Sequence, residues 1–189
     1  FGGLAISDNN GESFVRYSTV PVFERTEEAS LFRVPHTVML DNAKFKFWYG
    51  GGSSYIDGTN KTLPVYNIRY LESNSLINIP DKGIEVLDTI DEEHRVGRPN
   101  VLKDNELFKM YFGFGSDKKP YQLGYAESRD GKNWSRDDLK LGLPLSSSGW
   151  DSEMMAYPCV VKVNNKTYMF YNGNEYGKYG FGYAELVQE

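Results

Sequence analysis

The sequence predicts an all-β protein of the β-propeller type, and three observations support that prediction. A proline-led apolar run occurs three times at intervals of about 60 residues, each time followed by an aromatic strand and a Gly/Tyr-rich strand. Aromatic residues make up 15% of the 189 residues, and flat rings pack well on a pleated surface. Apolar residues at helical spacing are almost absent, whereas the alternation typical of strands is clear.

Each repeat is predicted to contain three successive strands. The first strands begin at a proline, namely Pro35, Pro99 and Pro158. The second strands are rich in Phe and Tyr and cover Phe45–Gly51, Phe108–Gly113 and Tyr168–Gly173. The third strands are Tyr66–Ser73, Leu123–Ser128 and Phe181–Glu185. Asn and Asp tolerate left-handed backbone conformations, so two-residue hairpin turns are expected at Asp41-Asn42, Asp104-Asn105 and Asn164-Asn165.

A polar turn that ends in an aromatic residue occurs twice, at Ser7–Phe14 and at Ser128–Trp134. In both turns glycine supplies a positive φ, and an Asn or Asp side chain accepts hydrogen bonds from the turn backbone. We expect the closing aromatic residue to pack between neighbouring sheets. The turns resemble the Asp-box turns of sialidase-like propellers, so Asp130 is expected to have a structural role.

The repeats predict a single propeller domain over residues 1–189. Blade-like units lie near 1–20 (partial), 30–80, 96–140 and 155–189, which amounts to about three and a half blades. A closed propeller needs about four to eight blades, and open sheet edges invite aggregation. We therefore expect either that the chain is the C-terminal part of a longer protein or that a second copy or another chain closes the ring.

Composition narrows the classes of partner. A net charge of −5 argues against nucleic acid, and no apolar run approaches the ~20 residues that span a bilayer, so no membrane partner is expected. The single cysteine, Cys159, lies in an apolar run and is expected to be a buried core thiol. One cysteine forms no internal disulfide, which leaves the location open and slightly favours the cytoplasm.

No cofactor is expected from the sequence. The two histidines, His36 and His94, lack the spacing of a zinc site, so no metal ligand is assigned. Nothing in the sequence indicates a structural calcium ion in the channel.

Several segments together resemble a known group of proteins. They are Gly3–Asp8, Glu93–Pro99, Tyr125–Trp134, Gly149–Pro158 and Tyr168–Ala184. They resemble uncharacterised bacterial proteins related to glycoside hydrolase family 43, which are associated with surface-polysaccharide gene clusters. The resemblance covers almost the whole chain and is weakest around residues 20–90. It implies a five-bladed β-propeller of the arabinanase/levansucrase superfamily, a carbohydrate partner, and the absence here of the first blade and half of the second.

Hydrolases of this superfamily use an Asp base, a Glu acid and a second Asp that tunes the acid. Inverting enzymes hold acid and base ~6.5–9.5 Å apart to admit a water. Family 43 commonly places an Asp directly before the proline of an innermost strand, but Val34, Arg98 and Tyr157 occupy those positions here. The expected base is therefore either upstream or absent, and hydrolysis by this chain alone is in question.

Glu153 and Asp151 are the candidate general acid and its partner, because two nearby carboxylates raise the pKa of one of them. The alternative is a polar loop with solvated acids or a turn cap. Trp150 is either a platform for a sugar ring or a plug at a blade edge. Arg98 is a candidate catalytic residue that would hold a carboxylate or clamp a sugar group, and its alternative role is a salt bridge between blades.

The candidate substrate-binding residues are His94, Trp150, Tyr157, Asn172, Asn174 and His36. Each histidine is either an acid/base or hydrogen-bonding group or a structural residue. The two asparagines either bind sugar hydroxyls or form a turn. The sequence thus predicts a glycosidase-like propeller that acts on or binds a bacterial glycan, with Glu153 as general acid. The alternative is a non-catalytic glycan-binding or assembly module on the same scaffold.

Overall fold

The computed structural model describes residues 1–187, which are built almost wholly from antiparallel strands. The strands are β1 (Ala5–Ile6), β2 (Val15–Arg16), β3 (Phe32–Asp41), β4 (Lys44–Asp57), β5 (Thr62–Ser73), β6 (Ile84–Leu87), β7 (Glu93–Asp104), β8 (Leu107–Ser116), β9 (Gln122–Ser128), β10 (Ser135–Arg136), β11 (Ala156–Val163), β12 (Lys166–Asn172) and β13 (Phe181–Glu185). A 3-10 turn at Asp138–Leu141 and a kinked helical turn, α1, at Asn174–Gly177 complete the described elements. The all-β prediction is confirmed.

The strands pair in chain order within each repeat unit. β1 and β2 form a two-stranded sheet, and β11–β13 form a three-stranded sheet. β3–β6 and β7–β10 form two four-stranded antiparallel sets, which one parallel bridge between Tyr66 and Arg95 joins into an eight-stranded sheet. No sheet closes on itself within residues 1–187, so the number of blades stays a prediction.

Two-residue turns connect the first and second strands of every unit, as predicted. They are Asn42–Ala43, Asn105–Glu106 and Asn164–Asn165. The first two lie one residue later than predicted, because Asp41 and Asp104 belong to the strands. Both aspartates pair across the hairpin and bind lysines of the second strand, namely Lys46 at 2.7 Å and Lys109 at 2.9 Å.

The first strands of the three units are tied together by side-chain hydrogen bonds. The hydroxyl of Thr37 on β3 donates to the Pro99 carbonyl at 2.8 Å and accepts from the Val101 N–H at 3.0 Å. The Val160 N–H on β11 donates to Asn100 Oδ1 of β7 at 2.8 Å. These bonds hold the beginnings of β3, β7 and β11 in one region of the molecule.

The main hydrophobic core lies between the two four-stranded sets. Trp48, Ile68, Val96, Met110 and Phe112 are its most completely buried large side chains. Aromatic residues of the second strands therefore serve chiefly to pack the units together, as expected for half-buried pleated surfaces.

Two of the burial predictions are wrong. Cys159 is exposed, because its neighbour Val160 faces the core cluster and alternate residues of β11 point to opposite sides of the sheet. Phe14 is 66% exposed and belongs to none of the buried clusters formed by residues 1–187. Within the same described range, no helix is both long and apolar enough to cross a membrane.

Candidate functional site

A pocket of about 340 Å³ opens where β3, β7 and β11 begin, and we call it the central pocket. All three repeat units contribute to it, and most of its side chains are aromatic. The residues that define it are Val34, His36, Tyr66, Arg98, Tyr121, Tyr157 and Tyr176. The three positions directly before the strand prolines, Val34, Arg98 and Tyr157, thus meet in one pocket.

Arg98 and Tyr157 reach the central pocket from strained backbone positions. Their φ angles are 56° and 61°, in the left-handed region that non-glycine residues seldom occupy. Each lies at a β-bulge directly before a proline, and bulges redirect side chains next to functional sites. Such strain costs on the order of 1–3 kcal/mol per residue and clusters at ligand sites. The two repeat units therefore place a side chain in the same pocket by the same backbone device.

The first unit uses a different residue at its bulge. On β3 the register shifts between Pro35 and Thr37, so His36 is the extra residue and lines the pocket. Burial disfavours the charged imidazole, and the nearby Arg98 charge repels it, which together lower the pKa of His36 to about 4. At neutral pH His36 therefore offers one hydrogen-bond donor and one acceptor without a charge.

Arg98 stacks on the aromatic rings of the pocket. Its guanidinium carbon lies 4.0 Å from the centre of the Tyr157 ring, and that ring stacks on Tyr176 at 6.0 Å with an interplanar angle of 28°. The salt bridge between units that the sequence offered as an alternative for Arg98 is not present among residues 1–187. Beside this stack, burial raises the pKa of Tyr66 to about 12, so its hydroxyl stays protonated.

A second pocket of about 290 Å³, which we call the side pocket, adjoins the first and shares Tyr121 and Tyr176 with it. Glu153 lines it, and the Glu153 side chain is exposed. The side pocket also contains charged groups of both signs, which are Lys61, Arg95, Asp117 and Glu175. Glu153 is thus beside the central pocket, with two aromatic rings between them.

Asn174 and Asn172 hold the loops around the two pockets. Asn174 is buried, and its Oδ1 accepts hydrogen bonds from the N–H groups of Glu153 at 2.9 Å and Met154 at 3.0 Å. Asn172 donates from Nδ2 to the Tyr176 carbonyl at 3.1 Å, where Tyr176 itself has a φ of 59°. In this structure the two amides therefore fix the backbones of Glu153 and Tyr176.

Asp151 and Trp150 line neither pocket. Asp151 is buried, and its Oδ2 accepts a hydrogen bond of 2.9 Å from the Tyr171 hydroxyl. Burial, and then this hydrogen bond, raise the pKa of Tyr171 to about 12. Trp150 stacks on the Tyr171 ring at 5.3 Å and lies so close to Gly182 that a Cβ there would come within 2.6 Å of the indole. Both residues pack against the last sheet.

His94 is buried behind the sites rather than lining either pocket. Its Nδ1 donates to the Pro64 carbonyl at 2.8 Å, and its Nε2 has no hydrogen-bond partner among residues 1–187. Burial lowers the pKa of His94, so the ring is neutral at neutral pH. It links β7 to β5.

Sequence reasoning missed the pocket residues Tyr66, Tyr121 and Tyr176, which it treated as part of aromatic strands. A signal for them exists in the strand order. In an antiparallel meander the first and third strands of a unit begin at the same edge, and these tyrosines lie in or just before third strands. No group of three or more His, Cys, Asp or Glu side chains is placed to hold a metal ion within the described part of the chain.

Sequence comparison finds relatives whose function is not established. The chain is 32% identical over 185 residues to the uncharacterised protein Rv1502 of Mycobacterium tuberculosis, a match that covers 97% of this chain and 60% of that protein. The uncharacterised protein MT1551 of another strain of the same species gives the same values. The chain therefore spans about three fifths of the length of these curated relatives. No protein-family profile matches it.

Structure comparison finds propeller-type glycoside hydrolases. A thermostable family-43 glycoside hydrolase has a TM-score of 0.72 at 16% identity, with 99% of this chain and 63% of that chain covered. BT0996, in a complex with RGII, has a TM-score of 0.69 at 17% identity, with coverages of 99% and 56%. Zg3597, a family 117 glycoside hydrolase of Zobellia galactanivorans, has a TM-score of 0.65 at 16% identity, with coverages of 81% and 51%. At such identities the likeness shows the fold alone.

Proposed function

We propose that this protein belongs to a carbohydrate-active propeller that binds a bacterial glycan in the central pocket, with Glu153 as the general acid. One observation supports this most directly. Arg98 and Tyr157 occupy equivalent strained positions before Pro99 and Pro158, and both line the same pocket. The folded chain tolerates that strain at two repeat units, which is typical of residues held for binding or chemistry.

The chemistry of the central pocket suits a sugar. Ligand sites are mostly apolar and aromatic, with a few polar groups that fix orientation. Here the tyrosine rings offer flat apolar surfaces, while Arg98 donates hydrogen bonds and neutral His36 both donates and accepts them. A sugar ring has the matching composition, with C–H faces and a rim of hydroxyl groups.

Glu153 takes the acid role in this proposal because it is the candidate carboxylate that lies nearest the central pocket, across Tyr121 and Tyr176. Asn174 is a positioning residue, since it binds the Glu153 backbone. Asp151 is occupied by Tyr171, which leaves Arg98 as the charge that would tune the acid. The base would come from outside residues 1–187, where no carboxylate lines the central pocket.

The test compares Glu153→Gln with Glu106→Gln, a matched change at an exposed hairpin turn. Reducing-sugar release from bacterial surface polysaccharides is measured for each protein, together with binding to the same polysaccharides. We expect Glu153→Gln to lower turnover by about 100-fold or more, the usual contribution of a general acid, while binding changes little. Turnover equal to that of Glu106→Gln would remove Glu153 from the acid role.

The same scaffold also supports a second function, a non-catalytic glycan-binding or assembly module. The observation that favours it is the lack of any carboxylate lining the central pocket within residues 1–187. Saturable polysaccharide binding without turnover in the experiment above would support this function and contradict the enzymatic one.

We further propose that residues 1–189 form one domain of a five-bladed ring, completed by further chain or by a second copy. Apolar side chains are exposed at both ends of the array and support this. Val38 and Leu40 are 44% and 65% exposed at one end, and Phe181 and Tyr183 are 67% and 62% exposed at the other. Burial of such surfaces is the main favourable contribution to closing a ring.

A further inference from the structure

Arg98 differs from the other arginines that pack inside this chain. Arg33 lies 3.3 Å from Glu28, Arg69 lies 3.4 Å from the same glutamate, and Arg136 binds Glu93 at 2.7 Å. Arg98 has no acidic partner among residues 1–187, and its guanidinium contacts the Tyr157 ring instead. A positive charge in a pocket without a counter-charge favours an anion.

The way Arg98 is held leaves its hydrogen-bonding groups available. A guanidinium carries five N–H donors in its plane, and these form two parallel bonds to a carboxylate. Stacking on Tyr157 at 4.0 Å covers one face of that plane but not its edge. Arg98 makes no hydrogen bond to any described residue, so the edge remains free for a ligand.

The rest of the central pocket complements an anion rather than replacing one. No carboxylate lines it within residues 1–187. The hydroxyl groups of Tyr66, Tyr157 and Tyr176 are donors, and His36 is neutral at neutral pH because of its lowered pKa. The guanidinium is consequently the single formal charge among the lining residues, and the surrounding groups can donate to the same ligand.

We propose that the central pocket recognises an acidic sugar, with the guanidinium edge of Arg98 binding the carboxylate of a uronic-acid residue while the sugar ring lies against the tyrosines. This inference rests on the proposed glycan-binding function and specifies its substrate class. It requires no chemical step, only binding.

The test uses three ligands that differ only at carbon 6, which are D-glucuronate, D-glucose and D-glucose 6-phosphate. Affinities are measured by NMR titration of the full chain and of Arg98→Gln, Arg98→Lys and Arg129→Gln. Arg129 is exposed on a distant turn, so its change removes the same charge without touching the pocket. We expect glucuronate to bind more tightly than glucose, and Arg98→Gln to weaken glucuronate alone by about 10-fold or more, as expected for loss of hydrogen bonds to a charged group.

Arg98→Lys keeps the charge but loses the planar fork, so it is expected to recover only part of the glucuronate affinity. Arg129→Gln is expected to match the unchanged protein. Higher ionic strength should weaken glucuronate binding and leave glucose binding unaffected. A circular dichroism spectrum of each variant confirms that it is folded.

The alternative outcomes separate this inference from the proposed function. If Arg98→Gln weakens glucose and glucuronate equally, the pocket binds glycans but the acidic-sugar inference is wrong. If glucose 6-phosphate binds better than glucuronate with the same dependence on Arg98, the ligand is a phosphate ester and the carboxylate is excluded. If no ligand binds at about 50 mM, an affinity weaker than any specific sugar site, both proposals fail.

Discussion

The two polar turns, Ser7–Phe14 and Ser128–Trp134, have the same local hydrogen bonds but different surroundings. In the first, the Ser7 hydroxyl accepts from the Gly11 N–H at 2.8 Å. In the second, the Ser128 hydroxyl accepts from the Gly131 N–H at 2.9 Å. The second position after each serine, Asn9 or Asp130, then accepts further backbone N–H groups.

The difference lies in what each turn contacts. The Gly131 carbonyl accepts two indole N–H groups, from Trp48 at 2.9 Å and from Trp134 at 3.0 Å. Trp48 comes from the preceding repeat unit and is fully buried, whereas Phe14 is 66% exposed. The comparison shows that the sequence of the turn sets its local shape, while a neighbouring sheet decides whether its aromatic residue is buried.

The largest expected effect is that of replacing Trp48. Trp48→Ala would empty a fully buried site and leave the Gly131 carbonyl with one donor fewer. We expect it to lower the free energy of unfolding by about 3–5 kcal/mol, measured by urea denaturation. Phe14→Ala is the control and should change it by less than about 0.5 kcal/mol, as for other exposed positions. Equal effects would contradict the role assigned to the neighbouring sheet.

A smaller effect is expected from the turn acceptors. Asp130→Ala would remove the carboxylate that binds the N–H groups of Lys132 and Asn133, both at 2.8 Å. We expect a loss of about 1–2 kcal/mol in the free energy of unfolding, as for other side-chain caps. Asn9→Ala should cost less, because its turn is not linked to a buried core. A larger loss for Asn9→Ala would reverse the comparison.

The smallest effect concerns pH. Hydrogen bonds from the backbone and side chain of Asn133 hold the pKa of Asp130 well below its usual value. A carboxyl group whose pKa is depressed in the folded state stabilises it above the pKa of the unfolded chain, about 4, and loses that contribution as pH falls further. Urea midpoints between neutral and acidic pH should therefore fall less steeply for Asp130→Asn. An identical slope would show that Asp130 contributes nothing to acid stability.

Most of the strand order could be predicted from the sequence, because the prolines, aromatic runs and Asn/Asp turns are local signals. The hairpins at Asn42 and Asn105 differed by only one residue from the prediction, since Asp41 and Asp104 pair across the strands. Burial of Cys159 was not predictable in this way. An apolar run indicates a strand, but the direction that each residue faces depends on register and on neighbouring sheets.

The candidate site divides in the same way. Arg98, Tyr157 and Glu153 were identified from their positions relative to Pro99 and Pro158. The structure brings the first two together in the central pocket and places Glu153 beside it. Asp151 and Trp150, adjacent in sequence to the same loop, instead pack on Tyr171. Sequence proximity did not distinguish these outcomes, because each depends on which sheet the loop crosses.

By itself, the sequence determined the all-β repeat, the hairpins and the polar turns, since these depend on residues a few positions apart. Only the tertiary structure decided that Arg98, Tyr157 and His36 share one pocket, that Tyr176 joins them, and that Arg98 has no acidic partner among residues 1–187. These are relations between separate repeat units. They arise from packing and side-chain hydrogen bonds between β3, β7 and β11, whose residues lie about 60 positions apart in the chain.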